Sequence, residues 1–400
     1  MPPIPNPPSA VTAADTTPVR AASLVSPQLP AAASATLRSR LLLWSAFALV
    51  LIVAPLIFSK GSALSILSQI GTVMIFGLSY NMLLGQGGML SFGHAVYSGL
   101  GAFIAVHVMN RAAQGGWYCP LPMIPLVGGL AGMFFGMLFG YVTTRKSGTT
   151  FAMITLGIVE LVSACSLMFP GFFGGEGGVA VNRVYGAPFL GFNFGPQIQV
   201  YYLIAVWLFI STIAMFAFTR TPLGRILNAV RDNPERAEFI GYDTQWVRYL
   251  TLILSAFFAG ISGALSAINF EIVSAENVSA VRSGAVLLFT FIGGVGFFHG
   301  PMIGAIVGVF VSVLLPEMSK AWQLYLGVFF IMMVMWAPGG LASLLLRAGH
   351  GVAALRQLPA GSSRMQALRR LLLRAVLALA GAAASIALIE WIYRQQGAAL

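Results

Sequence analysis

Charge is scarce in this sequence. Asp, Glu, Lys and Arg make up 8% of its 400 residues, whereas hydrophobic residues make up 58%. A soluble domain covers its surface with roughly a quarter charged residues, so this composition excludes an ordinary soluble domain and predicts an all-α polytopic membrane protein. The formal net charge of +11 fits membrane topology, in which Lys and Arg collect in cytoplasmic loops. We therefore expect a lipid bilayer as partner and no nucleic acid.

Cysteines and catalytic motifs are also scarce. The two cysteines, Cys119 and Cys165, are too few for a disulfide framework or a metal cluster, and we expect both to be packing residues. The phosphate-binding pattern G-x-x-x-x-G-K-[ST] does not occur in the sequence. We find no His/Asp metal cluster and no nucleophile–base motif either, which argues against an integral membrane enzyme. The sequence predicts no catalytic residue, no metal site and no cofactor bound by this chain.

Long apolar runs dominate what is present. A transmembrane helix needs about 20 apolar residues. Candidate spans lie near residues 41–58, 62–84, 89–108, 121–142, 151–169, 199–219, 247–270, 284–298, 301–316 and 321–337, with an eleventh run at 373–393. The sequence thus predicts about 10 transmembrane helices plus an extra C-terminal hydrophobic helix, which spans the membrane, lies along it or is an extension with its own partner.

Three regions follow from this pattern. Residues 1–40 are rich in Pro, Ala, Ser and Thr, and we expect a disordered cytoplasmic tail. Residues 41–346 form the transmembrane domain, and residues 347–400 form a basic C-terminal extension that carries the run at 373–393. If the N-terminus is cytoplasmic, most of the 22 Lys and Arg residues lie on the inner side, as the positive-inside rule requires.

One dense charged stretch interrupts the apolar sequence. "RTPLGRILNAVRDNPERAEFIGYD", residues 220–243, holds four Arg and four acidic residues; we call it the elbow. Thr221 followed by Pro222, and Asn233 followed by Pro234, are each a capping residue before a first-turn proline. The spacing predicts two short helices, the second over about 234–240 and ending at Gly241. A lipid-binding helix would be net positive, so we expect the elbow to dock a protein on the cytoplasmic side.

Two Gly-rich apolar segments, residues 85–103 and 291–308, lie in opposite halves of the chain. Such pairs point to a transport pathway, but glycine also allows membrane helices to pack closely, and both explanations stay open. Glu160 is a carboxylate within a span, hence a functional candidate; it either contacts substrate or protons or stabilises the bundle. His299 is expected in a turn. The candidate pathway residues are Asn81, Gln86, Ser91, His94 and Glu160.

Several motifs in order resemble one family. "GRILNAVRDNPERAEFIGYD" (224–243) is similar to the coupling loop of the branched-chain amino acid permeases of ABC importers, with Arg236 in place of an Ala. "NMLLGQGGMLSFGHAVYSGLGAF" (81–103), "TTFAMITLGIVELV" (149–162), "GEGG" (175–178) and "APGGLASLL" (337–345) also resemble its motifs. The resemblance covers residues 60 to 346, and the first 40 residues and the chain after about 350 fall outside it.

The resemblance implies a permease subunit of an ATP-driven importer in the bacterial inner membrane. Its expected partners are ABC ATPase subunits, which bind ATP and Mg, a second permease subunit and a periplasmic solute-binding protein. The substrates expected are branched-chain amino acids; alternatives are urea, amides or another small neutral solute, or a proton-coupled secondary transporter in which Glu160 carries the proton. The ATPase-coupling residues expected are Gly224, Arg225, Ala229, Arg231, Asp232, Glu235, Ala237, Glu238 and Gly241.

Overall fold

The computed structural model describes residues 37–58, 60–116, 119–185, 191–318, 322–337 and 339–347. Most of the expected N-terminal tail, and nearly all of the C-terminal extension with its run at 373–393, lie outside the described residues. The chain divides within its first helix, with residues up to Leu49 in one unit and Val50 onward in the other.

Helices account for nearly all of the described secondary structure. The helix α2 continues into a π-helical turn at Met82–Gln86. The α-helices are α1 (Leu37–Ile57), α2 (Gly61–Asn81), α3 (His94–Ala113), α4 (Ile124–Thr143), α5 (Gly148–Met168), α6 (Pro170–Phe173), α7 (Gln197–Arg220), α8 (Pro222–Asp232), α9 (Pro234–Phe239), α10 (Thr244–Phe270), α11 (Ala280–Gly293), α12 (Gly300–Met318) and α13 (Trp322–Trp336).

The all-α polytopic class is confirmed, but the count of about ten spans is not. Among the described residues, six helices are long and apolar enough to cross a membrane, or seven if the bent pair Gln323–Met335 and Gly340–Arg347 is one span. The span expected at 284–298 is the shorter helix α11, and the one expected at 89–108 begins only at His94. Glycine ends α11 at Gly293, before hydropathy alone indicates, and the turn residues before His94 delay the start of α3.

A small two-stranded sheet joins two connections on one side of the bundle. β1 (Val179–Ala180) pairs antiparallel with β2 (Ile272–Val273). The connection between α5 and α7 contains α6 and β1. The pairing fastens this loop to the segment that follows α10.

The closest helix pair, α4 and α10, is packed through glycine. Gly128, Gly132, Gly136 and Gly140 recur every fourth residue and are all buried on one face of α4. A Cβ at Gly260 of α10 would clash with the carbonyl oxygen of Gly128. Small residues let helix backbones approach closely, which drives helix association where lipid supplies no hydrophobic force. The glycine face therefore places α10 at the centre of the bundle.

Serine hydroxyls tie α10 to α2 on its other side. Ser255 donates to the carbonyl of Ser79 (2.6 Å), and Ser262 donates to the carbonyl of Thr72 (2.7 Å). Both serines are buried. Polar bonds of this kind are a principal source of specificity between membrane helices, so α2 is held in register against α10.

We predict that Gly260→Ala destabilises the fold by about 1–3 kcal/mol, because the new methyl group overpacks the backbone contact with α4. Unfolding of the full chain in detergent measures the change. Gly157→Ala is the matched control, since it is also in a helix interior but a Cβ there meets nothing within 4 Å. The control should be neutral or stabilised through better helix propensity. Equal stability of the two variants would contradict the packing argument.

Candidate functional site

The elbow consists of two capped helices, as the sequence predicts. The Thr221 hydroxyl accepts a hydrogen bond from the backbone N–H of Gly224 (3.2 Å). The Asn233 side chain accepts one from the N–H of Arg236 (2.9 Å). These bonds satisfy N–H groups that have no partner within a helix. The caps therefore fix the start of α8 and α9 and the bend between them.

The second helix ends close to the predicted position. α9 ends at Phe239, and Gly241 follows with a φ of +97°, a conformation that favours glycine. The N–H of Tyr242 donates to the carbonyl of Ala237 (3.1 Å), which closes the helix end. Asp243 then caps α10 by accepting from the N–H of Trp246 (3.0 Å). The elbow thus leads directly into the central helix.

The expected coupling residues divide into a buried and an exposed group. Gly224 and Ala237 are buried, and a Cβ at Gly224 would clash with the Phe218 carbonyl at the end of α7. Glu238 accepts a hydrogen bond from the Thr244 hydroxyl (2.7 Å). These three residues hold the shape of the elbow. Glu238 is exposed, as are the remaining expected coupling residues, namely Arg225, Ala229, Arg231, Asp232, Glu235 and Gly241.

Between α2 and α3 the chain leaves the α-helical conformation over residues 82–93; we call this segment the break. It consists of the π-helical turn and a non-helical stretch that ends at His94. The N–H of Phe92 donates to the Thr155 hydroxyl of α5 (3.1 Å), and Tyr80 donates to the carbonyl of Ser91 (2.9 Å). Protein side chains thus pair backbone groups that a helix would satisfy internally.

The elbow is attached to the break. The guanidinium of Arg231 donates to the carbonyl oxygen of Gly85, and its aliphatic stem lies over Gly88, where a Cβ would come within 2.8 Å of the Arg231 Cγ. Leu227 is buried, and its Cδ1 would lie 3.2 Å from a Cβ at Gly87. α8 is therefore in direct contact with the interruption of the membrane helices.

The two Gly-rich segments also meet. A Cβ at Gly85 would lie 2.6 Å from the Val295 carbonyl oxygen, in the turn between α11 and α12, and one at Gly77 would lie 3.3 Å from Pro301. His299 lies in this turn, as predicted, and burial lowers its pKa. Close packing therefore explains these glycines, and their role in a pathway stays a prediction.

Four candidate pathway residues lie in the break or next to it and carry side-chain atoms without hydrogen-bond partners among the described residues. Asn81, Ser91 and His94 are buried. Asn81 Oδ1, Gln86 Oε1, Ser91 Oγ and His94 Nδ1 are buried atoms with no hydrogen-bond partner among the described residues. A buried polar atom without a partner costs roughly 1–3 kcal/mol. The break is thus a polar region within the bundle.

His94 is held by an aromatic cage. Its Nε2 lies 3.0 Å from the Ser79 hydroxyl oxygen. Its ring stacks on Phe76 at 5.4 Å and meets the rings of Tyr80 and Tyr97 edge-on. These contacts fix the imidazole at the first position of α3.

Glu160 does not join this cluster. It lies on the exposed side of α5, whereas Thr155, which contacts the break, is buried. Glu160 therefore lies away from the interior of the described helices, and its role as a bundle-stabilising residue stays a prediction. A role for Glu160 in the pathway stays a prediction.

Two functional candidates were missed by sequence reasoning. Phe239 is 92% exposed and Ile240 is 70% exposed at the end of α9; together we call them the apolar tip. The signal in the sequence was the pair of large apolar residues directly before Gly241 in an otherwise charged stretch. Large apolar side chains this exposed beside charged residues mark a contact surface.

The described residues offer no metal-binding group of side chains. They contain no group of three His, Cys, Asp or Glu side chains that could hold a metal ion. Both Cys119 and Cys165 carry free thiols.

Comparisons with known proteins give one family. Residues 62–338 match the model of the branched-chain amino acid transport system permease component. The chain is 28% identical to the high-affinity branched-chain amino acid permease protein LivM of Escherichia coli and 27% identical to that of Salmonella typhimurium, over 78% of this chain and 77% of each relative. It is 25% identical to the fructose import permease FrcC of Rhizobium meliloti, over 63% of this chain and 70% of that protein. No solved structure matches.

We predict that Arg231→Ala loosens the elbow and the break together, because it removes the bond to the Gly85 carbonyl. A loss of about 1 kcal/mol, roughly fivefold in local opening, is expected. Amide hydrogen exchange over residues 82–93 and 222–239 measures it. Arg225→Ala is the control, since that exposed side chain makes no hydrogen bond or ion pair within the described residues. Accelerated exchange confined to α8 would contradict the attachment.

Proposed function

The chain belongs to the family of permease components of branched-chain amino acid transport systems, and we propose that it is the membrane subunit of an ATP-driven importer for branched-chain amino acids. The observation that carries the proposal is the attachment of the elbow to the break, through Arg231 and Gly85. A movement imposed on the elbow from outside the membrane would reach a non-helical part of the bundle directly.

The partner that moves the elbow is an ATPase. The sequence holds no phosphate-binding loop of its own, so the energy enters through another subunit. The apolar tip supports this proposal, because exposed aromatic and aliphatic anchors in a charged surround are typical of protein interfaces. A second permease subunit and a periplasmic binding protein complete the importer, with the elbow and the N-terminus on the cytoplasmic side of the bacterial inner membrane.

The break is the part of the chain best suited to line the pathway. Non-helical backbone within a membrane is tolerated only where protein covers it or where it lines a water-filled cavity. Asn81, Gln86, Ser91 and His94 supply the polar atoms there. A region with polar but uncharged groups suits a neutral or zwitterionic solute.

The substrate follows from the relatives. LivM of Escherichia coli and of Salmonella typhimurium belong to branched-chain amino acid systems and match over 78% of this chain. The fructose permease matches over a smaller share. Amino acids with apolar side chains are therefore the proposed substrates.

We predict that the full chain, solubilised gently, copurifies with ATPase subunits. When the assembly is reconstituted in proteoliposomes with its binding protein, leucine uptake should require ATP and should resist a protonophore. Radiolabelled leucine uptake and ATP hydrolysis are the measurements.

A proton-coupled transporter would give the opposite result. Uptake that continues without ATP while a proton gradient is kept would overturn the proposed function. Glu160→Gln separates the mechanisms further: a proton carrier would lose accumulation entirely, whereas an ATP-driven importer should keep most of it.

We predict that Phe239→Ala weakens docking of the ATPase subunit. Truncating an aromatic anchor at an interface typically costs about 2 kcal/mol or more, which is roughly a 30-fold loss of affinity. Pull-down titration and ATP-coupled uptake measure the effect.

Phe192→Ala is the matched control. Phe192 is also an exposed aromatic residue, but it lies in the loop before α7, away from the elbow. It should leave ATPase binding unchanged. If Phe239→Ala binds the ATPase as tightly as the Phe192→Ala control, the apolar tip is not the docking surface.

A further inference from the structure

A second polar feature lies at the far end of the bundle from the elbow. A cleft of about 170 Å³ opens between α2, α10, α11 and α12. It includes Ser266, near the end of α10, and Arg282, near the start of α11. Because α10 has 27 residues, its two ends are roughly 40 Å apart, and the elbow precedes its first residue. Ser266 and Arg282 therefore place this part of the cleft toward the end of the bundle opposite the elbow.

The cleft is large enough for one small solute. An engineered apolar cavity of about 150 Å³ holds a benzene molecule, which is similar in scale. The lining of the cleft combines polar and apolar surface. Its polar contributions come from Gln69, Thr72, Ser266, Arg282 and Ser312, and its apolar ones from Val73, Phe76, Val286, Phe289 and Val309.

Arg282 brings a positive charge that has no carboxylate within 4.0 Å among the residues the structure describes. A guanidinium has five N–H donors, and the side chain of Arg282 uses one, toward the Ser266 hydroxyl at 3.5 Å. Glu276 interacts with it electrostatically, but the ion pairs within 4.0 Å in the described ranges are Arg183–Glu271 and Arg231–Asp232. A cation held within a membrane bundle without a close partner is expensive and marks a functional site.

Arg183 shows what a satisfied arginine looks like near the same end of α10. Its guanidinium donates to the Gly195 carbonyl (3.0 Å) and pairs with Glu271 (3.9 Å). Arg282 has no such carbonyl or close carboxylate among the described residues. Its planar fork is suited to bind both oxygens of a carboxylate.

We infer that the cleft at Arg282 binds the α-carboxylate of an amino acid in transit, with the apolar side chain of that amino acid against Val286 and Phe289. The inference rests on the proposed function, since it assigns a recognition site to the same substrate. Thr72, Ser266 and Ser312 offer hydroxyl oxygens for the ammonium group. The smallest ligand that this cleft should bind is an apolar molecule with one free carboxylate.

The first experiment measures binding without the solute-binding protein. The full chain, assembled with its partner subunits in nanodiscs, is titrated with radiolabelled L-leucine. Unlabelled competitors are 4-methylpentanoate, which keeps the carboxylate, and 3-methylbutylamine, which keeps only the amine. We expect the acid to compete at least about 10-fold better than the amine, because charge-assisted hydrogen bonds to Arg282 contribute roughly 1.5–3 kcal/mol. Equal competition, or no carboxylate-dependent binding, overturns the inference.

Variants test the residue itself. Arg282→Gln should weaken leucine binding at least about 10-fold. Arg282→Lys keeps the charge but loses the planar guanidinium, so its leucine affinity should lie between those of the wild type and of Arg282→Gln. Arg111→Gln is the control, because Arg111 is exposed in the last turn of α3, outside the cleft, and should bind as wild type does. Leucine affinity unchanged in a folded Arg282→Gln variant overturns the inference.

Uptake by the complete importer separates the two proposals. ATP-dependent leucine uptake with the same KM and kcat in wild type and Arg282→Gln would refute the site and leave the proposed function standing. Carboxylate binding that depends on Arg282, without ATP-driven uptake of any branched-chain amino acid, would refute the function and leave the site standing. A raised KM for leucine in Arg282→Gln, with ATPase assembly intact, is the expected result.

Discussion

Backbone polar groups inside a bilayer must find partners in the protein, and this constraint shapes the bundle around the break. A helix satisfies its own backbone, but the stretch before His94 does not. Its groups are instead paired by side chains from other helices, including Thr155 of α5 and Tyr80 of α2. At the start of α3, the N–H of Ala95 donates to Ser283 of α11 (2.9 Å). Three helices therefore converge on this one interrupted connection. The helix α10, which packs against α4 through glycine, completes the group.

The same constraint explains why the elbow is attached where it is. The Gly85 carbonyl loses the regular helical pattern at the π-helical turn, and Arg231 supplies a donor from outside the bundle. Glycine at 85, 87 and 88 leaves room for the elbow and for the turn after α11 to approach the backbone itself. A π-helical turn often marks a functional position in a helix. Here it marks the place where a peripheral helix pair reaches the membrane helices.

Local structure was predictable from the sequence and tertiary contact was not. The caps at Thr221 and Asn233 depend on atoms within three residues, so their residue types were sufficient. The bond between Arg231 and Gly85 joins positions separated by 146 residues, and no local pattern specifies such a partner. The outward face of Glu160 depends on how α5 packs, which hydropathy does not determine. The span predicted at 284–298 lies too late in the sequence compared with α11. Hydropathy follows the apolar residues past Gly293, where the helix ends.

One aromatic residue lies between the cleft and the break. Phe76 lines the cleft that contains Arg282, and its ring also stacks on that of His94, which begins α3 directly after the break. The break in turn contacts Arg231 of the elbow. Packed side chains transmit displacement because close-packed interiors do not compress, so a shift of the elbow that moves the break must also move His94 or strain its stack on Phe76. A solute bound at the proposed site near Arg282 would meet that displacement at the wall of its own site, and this contact would link the proposed docking surface to the proposed binding cleft.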